Sequence, residues 1–292
     1  MDLRQLEYFV AVAEERNFTR AAQRVHISQS GVSAQIRRLE KELGAELFDR
    51  SARSAELTAA GKAALEHARD VLAAAGAVGQ AVGEITGLLR GSLSVGMVIG
   101  CTVTPLFDAL AGFHRAHPGV ELSLREDNSD RLVPDVRSGA LDMALIGTES
   151  EPEDLNSLTI LSEPLVAAVP TGHELSGRVS LEDLAAHPVI CMPPGTGLRA
   201  VFDRACAERG VDPVIALQAS AAGAIADLAL RGLGVAVLSE SMAAAFPELT
   251  ALPITDATGP ALLAITWRPG ANVAAREMIS HCRKAFRLPS AG

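Results

Sequence analysis

Residues 28–44, SQSGVSAQIRRLEKELG, have the pattern of an amphipathic helix. Ser28 is a residue type that accepts hydrogen bonds at helix N-termini, and Gly44 is the type that ends helices. Apolar residues recur at intervals of four, three and four, which places them on one buried face: Val32, Ile36, Leu39 and Leu43. The opposite face is predicted to be polar and to carry Gln29, Ser33 and Arg37, with Ser30 beside them.

Two further helices are predicted before this segment. Asp2 with Gln5 three residues later is typical of a capping box, and apolar residues at helical spacing follow. A second helix is predicted over residues 19–25, where two alanines allow another helix to approach closely. Two short helices joined by a tight turn, the second with a polar N-terminal face, form the helix-turn-helix layout.

The stretch from Leu47 to Thr58 predicts a pair of short strands, which would make the domain a winged variant. Arg50 and Arg53 are expected at the tip of this pair. Residues 20–53 hold seven basic and four acidic side chains, so this part of the chain is locally basic. A basic face is what binding to DNA phosphates requires. The alternative is a polar face that is merely solvated.

A long helix is predicted from Thr58, as its N-cap, to about Leu88. Apolar residues at steps of three and four form a near-heptad seam: Leu65, Ala68, Leu72, Ala75, Val78, Val82, Ile85 and Leu89. A helix this long and isolated needs a partner to be stable, which favours self-association. The alternative is that the seam packs on its own chain.

From Gly91 onward, short strands alternate with helices, a pattern that predicts parallel sheets covered by helices. A change near Leu161–Pro164 predicts two similar lobes, one over about 91–162 with 267–292 and the other over about 163–266. Strands are predicted at 93–97, 120–124, 143–146, 165–169, 189–191, 214–218, 235–238 and 262–266. Helices are predicted at 102–114, 131–138, 181–186, 198–209, 222–231 and 273–286.

Composition excludes several classes of protein. The 292 residues are 48% hydrophobic and 21% charged, which is unlike a disordered chain. The net charge of -9 comes from residues 91–292, so a head that is neutral overall but locally basic is joined to an acidic body. The longest uncharged run, Gly91–Phe107, is too short and too broken to span a bilayer. No secretory signal is recognised at the amino terminus, so a cytoplasmic protein is expected.

Four cysteines without paired spacing predict reduced thiols: Cys101, Cys191, Cys206 and Cys282. Cys101 and Cys191 lie near predicted strand ends, so a thiol sensor is conceivable, although ordinary buried cysteines are favoured. His114 and His117 are interpreted as a solvated helix end rather than as metal ligands. No metal site, cofactor or catalytic motif is predicted, since HExxH, GxSxG, the P-loop and GxGxxG are all missing from the sequence.

Small polar residues stand at four strand-to-helix junctions of the body: Thr102, Ser129, Thr196 and Ser220. In two-lobed α/β domains, ligands bind beyond the carboxyl ends of the strands. Free backbone N–H groups at helix starts favour anions. A small carboxylate effector is therefore expected between the lobes, in contact with these residues. The alternative is that the four side chains are ordinary helix caps.

Segments throughout the chain resemble LysR-type transcriptional regulators. In the head, the resemblance lies in FTRAA at 18–22, SQSGVSAQIRRLE at 28–40, LGAELFDR at 43–50 and LTAAG at 57–61. In the body, it lies at residues 113–120, 139–145 and 232–238, in the order expected for the family. The resemblance implies a winged helix-turn-helix, a dimerising linker helix, and a two-lobed domain like that of periplasmic solute-binding proteins.

The resemblance further implies a homodimer or homotetramer that binds partly palindromic promoter sites in double-stranded DNA. A small molecule between the lobes would change the DNA bend. Many members have Pro where Ser30 stands and Arg where Ala34 stands, so the target sequence does not carry over from relatives. DNA contacts are expected from side chains near the helix N-terminus and at the wing: Gln29, Ser30, Ser33, Arg37 and Arg53.

The sequence as a whole predicts an α+β multi-domain protein. A winged helix-turn-helix domain is predicted over 1–58, a dimerisation linker helix over 59–90 and an effector-binding domain over 91–292. The predicted function is a ligand-responsive, DNA-binding transcriptional regulator that is not an enzyme and does not bind membranes. One rival is an enzyme or solute-binding module with the head as an interaction domain. Another is an architectural DNA protein with an empty cleft.

Overall fold

The computed structural model describes residues 1–49, 55–86, 89–100 and 103–288. These residues divide into two compact units, Met1–Gly91 with Ser138–Ala140, and Ser92–Arg137 with Leu141–Gly292. Within the described ranges, no helix is both long enough and apolar enough to cross a membrane.

The first unit begins with three helices, α1 (Leu3–Glu15), α2 (Phe18–Arg24) and α3 (Gln29–Leu43). The predicted capping box of α1 is confirmed, because the Asp2 carboxylate accepts a hydrogen bond from the Gln5 backbone and the Gln5 amide accepts one from the Asp2 backbone. The predicted ends of α3 are also confirmed. Ser28 caps its N-terminus, and Gly44 takes the left-handed conformation after its last turn.

Two short antiparallel strands follow α3, β1 (Phe48–Asp49) and β2 (Glu56–Leu57). The tip between them falls on residues 50–54, outside the described ranges. The base of the pair is tied to α3 by Glu40, which is buried and accepts hydrogen bonds from the backbone N–H groups of Leu47 at 2.9 Å and Phe48 at 3.4 Å. Phe48 also packs its ring edge against Phe9 of α1, which joins the strand pair to the helical core.

The long helix α4 spans Ala59–Thr86 and starts, as predicted, after Thr58, whose hydroxyl accepts a hydrogen bond from the Gly61 N–H at 3.0 Å. Gly61 must lack a side chain, because a Cβ there would lie 2.1 Å from the Leu47 carbonyl oxygen. The predicted seam divides into two parts. Its first residues pack against the helical core of the same chain, namely Leu65, Ala68 and Leu72, whereas Val78 remains 67% exposed.

The remaining elements form two sheets with helices around them. In chain order, the first group is β3 (Gly91–Val98), α5 (Thr104–Ala116), β4 (Val120–Asp127), α6 (Ser129–Arg137), β5 (Met143–Thr148) and β6 (Asn156–Glu163). The second group is β7 (Leu165–Pro170), α7 (Leu181–Ala185), β8 (Val189–Cys191), α8 (Gly197–Arg209), β9 (Ile215–Gln218), α9 (Ala222–Leu230), β10 (Val235–Ser239), α10 (Glu240–Ala244) and β11 (Leu249–Pro253). The chain ends with β12 (Ala261–Trp267) and α11 (Val273–Ala285).

The first sheet has the order β4-β3-β5-β12-β6, and its lobe is completed by the late elements β12 and α11. Residues 262–266 were expected in the second lobe, and this expectation is wrong. Strand β12 pairs with β5 on one side and β6 on the other along its whole length, so its hydrogen bonds belong to the first sheet. Strand β6 was not predicted from the sequence.

The second sheet has the order β11-β7-β10-β8-β9. The expectation of parallel sheets holds for β8 beside β10 and β9, but β7 runs antiparallel to both β10 and β11. In the first sheet, β5 is parallel to β3 and antiparallel to β12, so both sheets are mixed. The central strands β7 and β10 are buried along almost their full length, as expected for strands covered by helices on both faces.

Candidate nucleic-acid interface and ligand cavity

The N-terminal half of α3 presents a polar face. Gln29, Ser30 and Arg37 are exposed, and Ser33 is half-buried. The Gln29 amide donates a hydrogen bond to the Ser33 hydroxyl at 3.0 Å, and the hydroxyls of Ser28 and Ser30 lie 3.1 Å apart. These side chains are held in one row along the helix, in the arrangement by which a recognition helix reads base edges from its N-terminal end.

Arg37 differs from the basic residues around it. Arg20 and Arg24 form ion pairs with Glu14 and Glu15, and Arg38 pairs with Glu42 one turn along α3. Arg37 has no ion pair or hydrogen bond within the part of the chain that the structure describes. Its guanidinium is therefore available to a partner, and phosphate oxygens are natural acceptors for it. The predicted wing contact, Arg53, lies outside the described residues.

A cavity of about 540 Å³ lies between the two lobes of the second unit. Its wall takes strand ends from the first sheet and helix starts from the second lobe. Most of the wall is apolar, with side chains that include Leu161, Met192, Leu262, Leu263 and Phe246. The volume suits a small organic molecule.

The two lobes meet closely beside this cavity. A Cβ on Gly197, at the start of α8, would lie 2.0 Å from the carbonyl carbon of Gly147 in β5. The Asp130 N–H of the first lobe also donates to the Gly195 carbonyl of the second at 3.3 Å. Only a glycine at position 197 permits this approach, which brings the N-terminus of α8 directly against the C-terminal end of β5, the central strand of the first sheet.

Three helices begin at the cavity without any side-chain cap. The residues at their N-caps are Val103 for α5, Thr196 for α8 and Ala221 for α9, and all three line the cavity. Most backbone N–H groups of a first helical turn have no partner within the helix. In α5, however, Pro105 has no N–H and the Leu106 N–H donates to the Val103 carbonyl, and in α9 the Ala224 N–H donates to the Ala221 carbonyl. The remaining N–H groups of the three helix starts surround one cavity, where they and the helix dipoles favour an anion.

Two further polar groups belong to the wall. The Asn128 side-chain oxygen is buried and has no hydrogen-bond partner among the residues that the structure describes. Glu163, at the end of β6, accepts a hydrogen bond from the Ser241 N–H of α10 at 3.1 Å. Glu163 is the one charged residue among the described residues of the wall. Sequence reasoning missed it, because strand β6 was not predicted and its end was therefore not placed beside the other strand ends.

The four predicted effector contacts fall in different places. Thr196 lines the cavity, although its hydroxyl donates to the Pro193 carbonyl at 2.9 Å. Ser129 is buried next to the cavity, and its hydroxyl accepts from the Gly147 N–H at 3.0 Å. Ser220 is not among the described wall residues, although the adjacent Ala221 is. Thr102 lies outside the described ranges, as does Cys101.

The described cysteines are buried and unpaired. Burial raises the pKa of the Cys191 thiol, and the nearby Arg199 guanidinium opposes this only in part. Burial also raises the pKa of Cys206 to about 11 and that of Cys282 to about 12. His117 packs its ring against Phe113 at 4.9 Å. Within the described residues, no group of three or more His, Cys, Asp or Glu side chains is arranged to hold a metal ion.

Two family models match the chain. The model described as "Bacterial regulatory helix-turn-helix protein, lysR family" matches residues 3–62. The model described as "LysR substrate binding domain" matches residues 86–287. The two matches cover the head and the two-lobed body in turn.

Relatives of known name extend over the whole chain. An uncharacterized HTH-type transcriptional regulator YnfL of Escherichia coli is 34% identical over 295 residues, covering 98% of this chain and 99% of its own. The HTH-type transcriptional regulator ShiR of Corynebacterium glutamicum is 37% identical over 287 residues, covering 96% and 97%. Both lengths agree with a protein that combines the head and the body.

Solved structures show the same fold. A full-length OxyR variant from Pseudomonas aeruginosa superposes with a TM-score of 0.74 at 25% identity, covering 99% of this chain and 96% of its own. Full-length CbnR in complex with its target DNA superposes with a TM-score of 0.59 at 28% identity, covering 98% and 100%. The second of these relatives is a protein bound to DNA.

Proposed function

Because the chain belongs to the LysR family of DNA-binding transcriptional regulators, we propose that it controls promoter binding through a small carboxylate effector held between its two lobes. The protein acts in the cytoplasm as a homo-oligomer and has no catalytic activity of its own. The observation that carries the effector class is the convergence of three uncapped helix N-termini on one cavity.

The DNA half of the proposal rests on α3. Gln29 offers an amide that suits adenine, and Ser30 and Ser33 suit bases or phosphates. Arg37, which has no partner in the described part of the chain, contacts a phosphate, and Arg53 of the wing enters a minor groove. A two-fold dimer presents two such faces, so footprinting should reveal two half-sites on one side of the duplex. A single, unrepeated site would contradict this arrangement.

The effector half rests on the cavity. A carboxylate binds the open N–H groups of α5, α8 and α9, close to Thr196 and to the proposed contacts Thr102 and Ser220. The buried Asn128 side-chain oxygen, which has no partner among the described residues, accepts hydrogen bonds, so it suits a hydroxyl or ammonium of the effector rather than its carboxylate. Ser129 contributes indirectly, because its hydroxyl fixes the Gly147 N–H beside the cavity.

Self-association is proposed through the later part of α4. Val78 is 67% exposed, whereas Leu72 of the same seam already packs on the head of its own chain. The substitution Val78→Asp should therefore lower the oligomeric state in sedimentation equilibrium without lowering the melting temperature of the head. An unchanged oligomeric state would show that this part of α4 does not lie in the subunit interface.

The central experiment is a gel shift with the DNA upstream of the protein's own gene, combined with a thermal-shift screen of small carboxylates. A ligand that binds only the folded state raises its melting temperature by mass action. A carboxylate that raises the melting temperature should also alter the gel shift or the footprint. Failure of the folded protein to bind any genomic fragment would overturn the proposal.

A further inference from the structure

Glu163 occupies one end of the cavity wall. Strands β5, β12 and β6 lie side by side in the first sheet, and Glu163 is the last residue of β6. Thr148, Leu262 and Ser162 are aligned across these strands, so the three strand ends lie level. Since neighbouring strands are about 4.8 Å apart, Glu163 lies roughly 10 Å from the end of β5.

The other end of this row favours an anion. Gly147 is the next-to-last residue of β5, and it lies against the backbone of Gly197 at the start of α8. The first turn of α8 has no side-chain cap. A ligand carboxylate bound there would lie two strand spacings, or roughly 10 Å, from Glu163.

The wall between these ends is apolar. Strand β12, which separates β5 from β6, contributes Leu262 and Leu263, and α10 contributes Met242 and Phe246. No charged side chain other than Glu163 belongs to the described wall. A ligand that fills this space therefore carries an apolar segment next to its carboxylate.

The Glu163 carboxylate already has one partner and can take another. One of its oxygens, Oε2, accepts from the Ser241 N–H at 3.1 Å, which satisfies the start of α10. Its second oxygen has no hydrogen-bond partner within the residues that the structure describes. A carboxylate can only accept hydrogen bonds, so it stabilises a ligand hydroxyl or ammonium and repels a second ligand carboxylate.

We propose that Glu163 selects the effector class: a monocarboxylate with an apolar segment and a hydrogen-bond donor at the end remote from its carboxylate. Dicarboxylates of the same length are rejected. This inference rests on the proposed carboxylate site, and it adds the chemistry of the opposite end. Glu163 acts on specificity, and the open helix N-termini supply the anchor.

The inference can be tested on the full-length protein with two matched sets of probes. One set is p-hydroxyphenylpropionate, phenylpropionate and p-carboxyphenylpropionate, and the other is ω-hydroxyhexanoate, hexanoate and adipate. Affinities are measured by isothermal titration calorimetry for the wild type and for Glu163→Gln. The matched control is Glu121→Gln, because Glu121 is exposed on β4 at the far edge of the same sheet.

In the wild type, the hydroxyl probe of each set should bind about tenfold more tightly than the dicarboxylate, which is the effect of one hydrogen bond to a charged group. Glu163→Gln should remove most of this difference by improving the dicarboxylate, and Glu121→Gln should retain it. An amide at position 163 can still accept from the Ser241 N–H, so the variant keeps its fold, as an unchanged melting temperature would verify.

The remaining outcomes separate the two proposals. If the probes bind to the wild type but Glu163→Gln leaves their ranking unchanged, the role of Glu163 is wrong and the carboxylate site stands. If dicarboxylates bind best to the wild type, the inferred effector class is also wrong. If no carboxylate of either set binds to the wild type or to Glu163→Gln, both the inference and the carboxylate site are overturned.

Discussion

The helices of this protein begin in two different ways. Among the helices that the structure describes, seven have a side chain at the N-cap that accepts a hydrogen bond from the first turn; these caps are Asp2, Asn17, Ser28, Thr58, Ser180, Ser239 and Asn272. Helices α5, α8 and α9 have no such bond, and their N-caps all line the cavity. The recognition helix α3 belongs to the first group.

The difference separates elements that are complete in themselves from elements that leave room for a ligand. A side-chain cap stabilises a helix by about 1 kcal/mol. At α3, this stabilisation holds the polar row in place before DNA arrives. At α5, α8 and α9, no side chain fills this place, so the proposed anion would supply the missing acceptor.

The largest expected effect comes from placing a cap in the cavity. Ala221→Asp puts a carboxylate at the N-cap of α9, where it can accept hydrogen bonds from the first turn. Stability should rise by about 1 kcal/mol, whereas affinity for a carboxylate effector should fall about 100-fold because of the like charge. Thermal unfolding and titration calorimetry measure the two changes.

The control for this substitution is Ala221→Asn, which offers a cap of similar shape without the charge. It should stabilise the protein to a similar extent and weaken carboxylate binding less than Ala221→Asp does. If Ala221→Asp stabilised the protein but left carboxylate affinity unchanged, the open start of α9 would not be part of the anion site.

A smaller effect is expected on the DNA face. Arg37→Ala removes a guanidinium that has no partner in the described part of the chain, so DNA affinity should fall about tenfold. The slope of log affinity against log salt concentration should become shallower by about one. Arg38→Ala is the matched control, since Arg38 already pairs with Glu42. Fluorescence anisotropy over a range of salt concentrations checks both. Equal losses for the two variants would argue against a specific role of Arg37.

Local patterns allowed much of the fold to be predicted from the sequence. The ends of α3 at Ser28 and Gly44 depend on residues next to the helix, and so does the capping box at Asp2. The six helices predicted in the body lie within about two residues of their predicted positions, because apolar periodicity is a property of neighbouring residues, whereas the short helix α10 was not predicted. Thr196 was likewise found from its place before a helix.

Features that depend on strand pairing between residues far apart in the sequence could not be predicted from local patterns. Strand β12 joins the first sheet through partners about 100 residues earlier, and β6 carries no strong alternation of apolar and polar residues. Glu163 could be recognised as part of the cavity only once β6 was placed beside β12. The division of the α4 seam also required the packed core, since Leu72 and Val78 look alike in sequence.

Removing an existing cap tests the other side of the comparison. Ser28→Ala deletes the hydroxyl that accepts from the Gly31 N–H, so the head should lose about 1 kcal/mol of stability. The free energy of DNA binding should weaken by a similar amount, because the Ser28 hydroxyl also lies 3.1 Å from the Ser30 hydroxyl in the polar row. Chemical denaturation followed by helical circular dichroism gives the first quantity. Ser28→Asp keeps a cap and should restore the stability but not the DNA affinity.

The smallest expected effect concerns the three described thiols, of Cys191, Cys206 and Cys282. An open helix N-terminus can lower the pKa of a thiol in front of it, but burial raises the pKa of Cys191, which precedes α8. Burial also raises the pKa of Cys206 to about 11 and that of Cys282 to about 12. Iodoacetamide at pH 8 should therefore leave Cys191, Cys206 and Cys282 unmodified in the folded protein, with no change in carboxylate binding. Labelling should increase only as the pH approaches these raised values or the protein unfolds. Mass-spectrometric mapping checks each site, and rapid modification of Cys191 in the native state would show that the field of the uncapped α8 outweighs burial.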